Sequence, residues 1–175
     1  MIDLDQLGHL HPDLPDELAG ALVMYGSVAL ERQRHAPGVD FVASIRGRTV
    51  NETLVWRVRS ANDAQMVDIN RVTEDGAECL ALLIVGLHCS WRAVRRLQWR
   101  LGEGADWLVE EAPSGEGIVL EVSGTDEGPL EPRIRKKKAQ AQAAAGACHA
   151  AACVVRFLEP TATLWNDHDP RPGAS

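Results

Sequence analysis

The sequence predicts an α/β fold of the α+β kind, a mixed β-sheet flanked by helices. Three observations carry this. Several short stretches alternate apolar and polar residues, as half-buried strands do. One long apolar run, from Thr73 to about Leu87, has the composition of a helix buried on most sides. The second half reads in the order helix, three strands, helix, strand. That order fits an antiparallel meander followed by a crossover to a parallel strand.

The elements follow along the chain. Residues 1–15 read as loop, punctuated by Pro12 and Pro15, with His9 and His11 taken as inert. Asp16 to about Arg34 places Leu18, Ala21, Leu22, Tyr25, Val28 and Ala29 at helical spacing, and Pro37-Gly38 ends that helix. Val39, Phe41, Ala43 and Ile45 alternate as a strand. Gly47 permits a turn, and residues 50–58 supply a second strand. After a polar stretch, Thr73 is the expected N-cap of the apolar helix, with Glu74 and Asp75 in its first turn.

Trp91 to Leu101 is the first strand of the meander, with Arg92, Arg96 and Arg100 on one face. Ala105 to Glu110 is a short second strand. Pro113, Gly115 and Gly117 form a hairpin loop, and Ile118 to Ser123 is the third strand. A helix spans about 129–145 with Gly146 as its C-cap, and AQAQAAAGACHAAA reads as its alanine-rich end. Strands at 153–158 and 161–165 complete the order. We divide the chain into an N-terminal helix-and-hairpin extension (1–72), a core (73–165) and a disordered tail (166–175), packed as one compact domain.

The 175 residues are 45% hydrophobic and 25% charged, enough for a substantial core. No apolar run approaches a membrane span, and MIDLDQLGHLHPDLPDE lacks the basic-then-apolar layout of a signal peptide, so a cytoplasmic protein is expected. Four cysteines do not make a disulfide framework at this length. Cys148-His149-x3-Cys153, with His88-Cys89 elsewhere, fits no standard zinc spacing.

The net charge of −7 argues against wholesale coating of nucleic acid. The charge is segregated, however. Residues 91–100 and 133–138 hold nine of the eighteen basic residues and no acid. All three lysines, Lys136, Lys137 and Lys138, sit together on one helix in a chain that otherwise uses arginine. Lysine's charge can be tuned by burial, whereas arginine's cannot.

Asp106 in GADWLVE, Glu121 in LEVSG and Glu78 in TEDGAECLALL, set in this element order, resemble the PD-(D/E)XK nuclease superfamily over roughly residues 73–158. The resemblance implies a restriction-endonuclease-like αβββαβ core. It implies that Asp106 and Glu121 bind Mg²⁺ or Mn²⁺, with Glu78 assisting and Glu74, one turn earlier, as its rival. It departs from the family at the triplet Glu121-Val122-Ser123, where serine stands in the lysine position. Projected at 100° per residue, the next helix has an apolar face of Leu130, Ile134, Ala141 and Ala145, flanked by Lys137 on one side and Lys138 on the other. Lys137 is the preferred migrated lysine.

The resemblance implies a metal-dependent nuclease acting on phosphodiesters, in bacterial defence or DNA processing. Asp106, Glu121, Lys137 and Ser123 would then be catalytic, with Ser123 positioning a water. Arg92, Arg96, Arg100, Arg133, Lys136 and Gln140 would bind nucleic acid. Two rival readings stand beside it. One is a non-catalytic subunit or scaffold of this fold, binding a protein partner, a second copy or nucleic acid, with the five tryptophans marking its interaction surface. The other is an unrelated α+β domain with the same element order. For Glu121 the plainer alternative is a structural ion pair with Lys137 or Arg95.

Overall fold

A computed structural model describes residues 1–60, 67–69, 71–97 and 105–167. Its strands are β1 (Ile2–Asp3), β2 (Val39–Ile45), β3 (Arg48–Val55), β4 (Trp91–Arg96), β5 (Trp107–Glu111), β6 (Gly117–Thr125), β7 (His149–Arg156) and β8 (Thr161–Asn166). Its helices are α1 (Leu7–Leu10), α2 (Asp16–Arg32), α3 (Val72–Cys89) and α4 (Leu130–Ala144). All eight strands join one mixed sheet in the order β1-β3-β2-β8-β7-β6-β5-β4.

The expected meander is present: β4–β5 and β5–β6 are antiparallel, and α4 carries the chain over to β7, parallel to β6. The N-terminal hairpin β2–β3 belongs to the same sheet, because β2 lies parallel to β8. The sheet curls far enough for Arg46, in the β2–β3 turn, to lie over the ring of Trp91 on β4, 5.5 Å from its centroid. The main core lies on the face covered by α2 and α3, and residues 75–85 of α3 are all buried. The opposite face carries a smaller apolar cluster, in which Ile134 of α4 meets Ala152 and Val154 of β7. Alternation along β6 thus sends Leu120 and Val122 toward α3, and Glu121 and Ser123 toward α4.

Several expectations need correction. Residues 2–10 are not loop, although 11–15 are. Ile2, Leu4 and Leu7 are buried, in β1, a 3₁₀ turn (Leu4–Gln6) and α1. His11 is fully buried: its Nδ1 accepts the Ala93 N–H at 2.9 Å, which leaves Nε2 to donate to the Leu82 carbonyl at 2.9 Å. Thr73 does not cap α3, which already begins at Val72; its hydroxyl instead donates to Asp126 at 3.2 Å. The alanine-rich run splits. α4 ends at Ala144, and His149 with Ala150–Ala152 opens β7, where small side chains fit beneath the crossover helix. The second strand begins at Arg48 rather than Val50.

Candidate functional site

Glu121 stands near the middle of β6, on the face that α4 crosses, and is 2% exposed. Asp106 is 5% exposed and directly precedes Trp107, whose ladder partner is Leu120, so it comes level with Glu121 on the neighbouring strand. The Val122 N–H donates to Asp106 Oδ2 at 2.6 Å and fixes that carboxylate against β6. Lys137 reaches down from α4, with Nζ 2.7 Å from Glu121 Oε2 and 3.6 Å from Asp106 Oδ2. Three residues distant in sequence meet at one point because α4 returns across the face of the strand it follows.

The helical projection accounts for this placement. Ile134 and Ala141 are the buried residues of α4, and its two flanking lysines diverge around them. Lys137 goes to Glu121 on β6, and Lys138 lies 4.5 Å from the ring centroid of Trp165 on β8. Glu121 pairs with Ala152, and Ala152 pairs with Trp165, so the two lysines straddle a single row of the sheet.

Burial raises the pKa of both carboxylates, and Lys137 and local hydrogen bonds only partly offset it. Burial also works against the Lys137 charge. There the attraction of Asp106, then of Glu121 and Glu74, outweighs it and lifts the ammonium above the usual lysine value. Lys137 is therefore a fixed positive charge facing two reluctant negative ones.

Glu74 and Glu78 of α3 separate. Glu74 Oε2 accepts the Gly124 N–H at 3.0 Å and lies on the Lys137 side. That approach requires glycine, since a Cβ at position 124 would stand 2.1 Å from the Thr73 carbonyl oxygen. Glu78 faces the other way: Trp107 Nε1 donates to it at 2.9 Å, and Arg96 pairs with it at 2.8 Å. Burial, with Arg96 opposing, pushes the Glu78 pKa up to about 7. Asp75 binds both Arg96 and Arg71, at 3.0 and 2.9 Å. Of the two α3 acids, Glu74 is the one directed toward Lys137.

The basic residues also divide. A β-bulge between Ala93 and Arg95 shifts the register of β4. The extra residue reverses the alternation, so Arg92 points outward while Arg96 turns inward to Glu78 and Asp75 and lies over the Trp107 ring. The expected shared face of Arg92 and Arg96 is therefore absent, and Arg100 lies outside the described residues. On α4, Arg133 donates to the Gly124 carbonyl at 3.5 Å, Lys136 is exposed, and the Gln140 Oε1 atom is buried without a hydrogen-bond partner among the described residues. Ser123 is buried on the face of Glu121.

Among the described residues, no three carboxylate, imidazole or thiol side chains gather as a metal cage, and the four cysteines are free thiols. Asp106 and Glu121 remain a pair of hard oxygen donors, level on adjacent strands. Two carboxylates suit Mg²⁺ or Mn²⁺, which retain water and complete their shell with substrate oxygens. The pair already accommodates one cation, the Lys137 ammonium. No helix among the described residues is long and apolar enough to cross a membrane. Comparison with known protein families, with curated proteins and with solved structures finds no match.

Proposed function

We propose that the chain is a nuclease of the PD-(D/E)XK kind, acting on nucleic-acid phosphodiesters with Mg²⁺ or Mn²⁺. One observation carries the reading: Lys137 returns from the following helix to Glu121 and Asp106, supplying the lysine that Ser123 replaces in the strand. Asp106 and Glu121 would hold the ion, which when bound polarises a phosphoryl oxygen and acidifies a coordinated water. The chain's own residues do the rest. The sheet register fixes the two carboxylates relative to each other. Lys137, held positive, neutralises charge that builds on a phosphate oxygen. Arg133, one turn before Lys137 on α4, and the exposed Lys136 bind the flanking backbone, and Ser123 borders the site from the position after next on β6.

The test is cleavage of labelled single- and double-stranded DNA and RNA with Mn²⁺ or Mg²⁺. Asp106→Asn, Glu121→Gln and Lys137→Met should each lower the rate by about 100-fold or more. Intact substrates under every condition would overturn the reading.

A second reading is favoured by a different observation, the near-complete burial of both carboxylates. In it the triad is an internal ion cluster of a non-catalytic subunit, which binds a protein partner or nucleic acid through other surfaces. Glu121→Ala would then abolish folding or partner binding in a protein that shows no cleavage with either metal.

A further inference from the structure

Lys137 does more than stand near the carboxylates; its ammonium occupies the place a metal ion would contest. Nζ lies 2.7 Å from Glu121 Oε2 and 3.6 Å from Asp106 Oδ2. We propose that Lys137 is a built-in competitor for the divalent cation, and that loading of the ion is coupled to an anionic ligand that draws the lysine away. The inference rests on the metal-dependent reading given above.

Three features support it. First, a monovalent and a divalent cation at one buried carboxylate pair repel each other strongly, because little water screens them. Second, the lysine has somewhere to go. Its side chain is 19% exposed, and its four-carbon stem allows the head to swing toward solvent while the helix stays docked through Ile134 and Ala141. Third, the direction of withdrawal is basic: Arg133 lies one turn earlier on the same flank of α4, so a phosphate bound there would meet two cations and give Lys137 a new partner. Empty protein would then resist the ion, and nucleic acid would admit it. The site would stay unloaded until a substrate backbone lies against α4.

The experiment measures Mn²⁺ binding by electron paramagnetic resonance of the free ion, with folding checked by circular dichroism. It compares the full chain with Lys137→Met, and with Arg135→Gln as a control that removes one charge from the same helix. Without nucleic acid, Lys137→Met should bind Mn²⁺ about 10-fold tighter than the parent, and Arg135→Gln should match the parent. An uncleavable phosphorothioate oligonucleotide should tighten Mn²⁺ binding by about 10-fold in the parent and by much less in Lys137→Met. If Lys137→Met does not fold, Lys137→Gln, which keeps a donor toward Glu121, makes the same comparison. Equal Mn²⁺ affinity in parent and variant overturns the competition and leaves the metal-dependent reading standing. Absence of Mn²⁺ binding in both, with and without oligonucleotide, overturns the metal-dependent reading and the competition together.

Discussion

Lys137 Nζ lies 2.7 Å from Glu121 Oε2, although the two residues belong to different elements and stand sixteen positions apart. The pair is buried on the carboxylate side, so removing one partner leaves the other uncompensated. Lys137→Met and Glu121→Leu should each lower stability by about 2–4 kcal/mol, and the double variant should lose less than their sum, with a coupling of about 1–3 kcal/mol. Urea denaturation of the four proteins measures this. Strict additivity would mean that the contact is energetically idle.

Gly124→Ala should be among the most damaging single-methyl changes in the chain. The added Cβ would meet backbone, the Thr73 carbonyl oxygen at 2.1 Å, and not a yielding side-chain tip. The start of α3 must shift, and Glu74 loses its hydrogen bond from the Gly124 N–H. A loss of roughly 2–4 kcal/mol is expected, read as a lower urea midpoint.

His11 sets an acid limit. Burial lowers its pKa from 6.5, and its Nδ1 is already an acceptor for Ala93. The unfolded chain therefore takes up a proton first as pH falls below 6.5. Stability drops across that window until the folded pKa is reached. In His11→Gln the slope just below pH 6.5 should shrink, at a cost in stability at neutral pH. An unchanged slope would show that the imidazole takes up its proton equally in the folded and unfolded states, so that burial does not hold it neutral.

Glu78 sets the opposite slope. Its folded pKa, about 7, lies above its unfolded value of 4.5. Its contribution is therefore complete below pH 4.5 and is lost as pH rises through 7, roughly 3 kcal/mol at most. The stability of the parent relative to Glu78→Gln, from unfolding measured between pH 5 and 8, should show this decline; a pH-independent difference would overturn it.

The meander and crossover were legible in the sequence because period-two alternation and a flanking amphipathic helix survive in the residues themselves. Lys137 was legible for the same reason: its angle from Ile134 on the helix decides which strand it reaches. Arg96 was not. Its direction depends on a bulge that inserts one residue between Ala93 and Arg95, and alternation read from the sequence assumes none. His11 was missed because a short polar segment with two prolines looks like loop, while its burial comes from tertiary packing against α3 and β4. The choice between Glu74 and Glu78 also turned on tertiary detail, the glycine contact at position 124 and the indole of Trp107.

The imidazole of His11 also bears on how the molecule behaves among copies of itself. β4 is the last strand of the sheet, and a last strand offers backbone donors to any passing chain. The Ala93 N–H is one such donor, and His11 already occupies it. Both residues are buried, so this stretch of the edge is covered by the N-terminal segment and its amide is not on offer to a second copy. The residue that locks the N-terminal segment in place thus also fills one backbone donor of the sheet's edge strand.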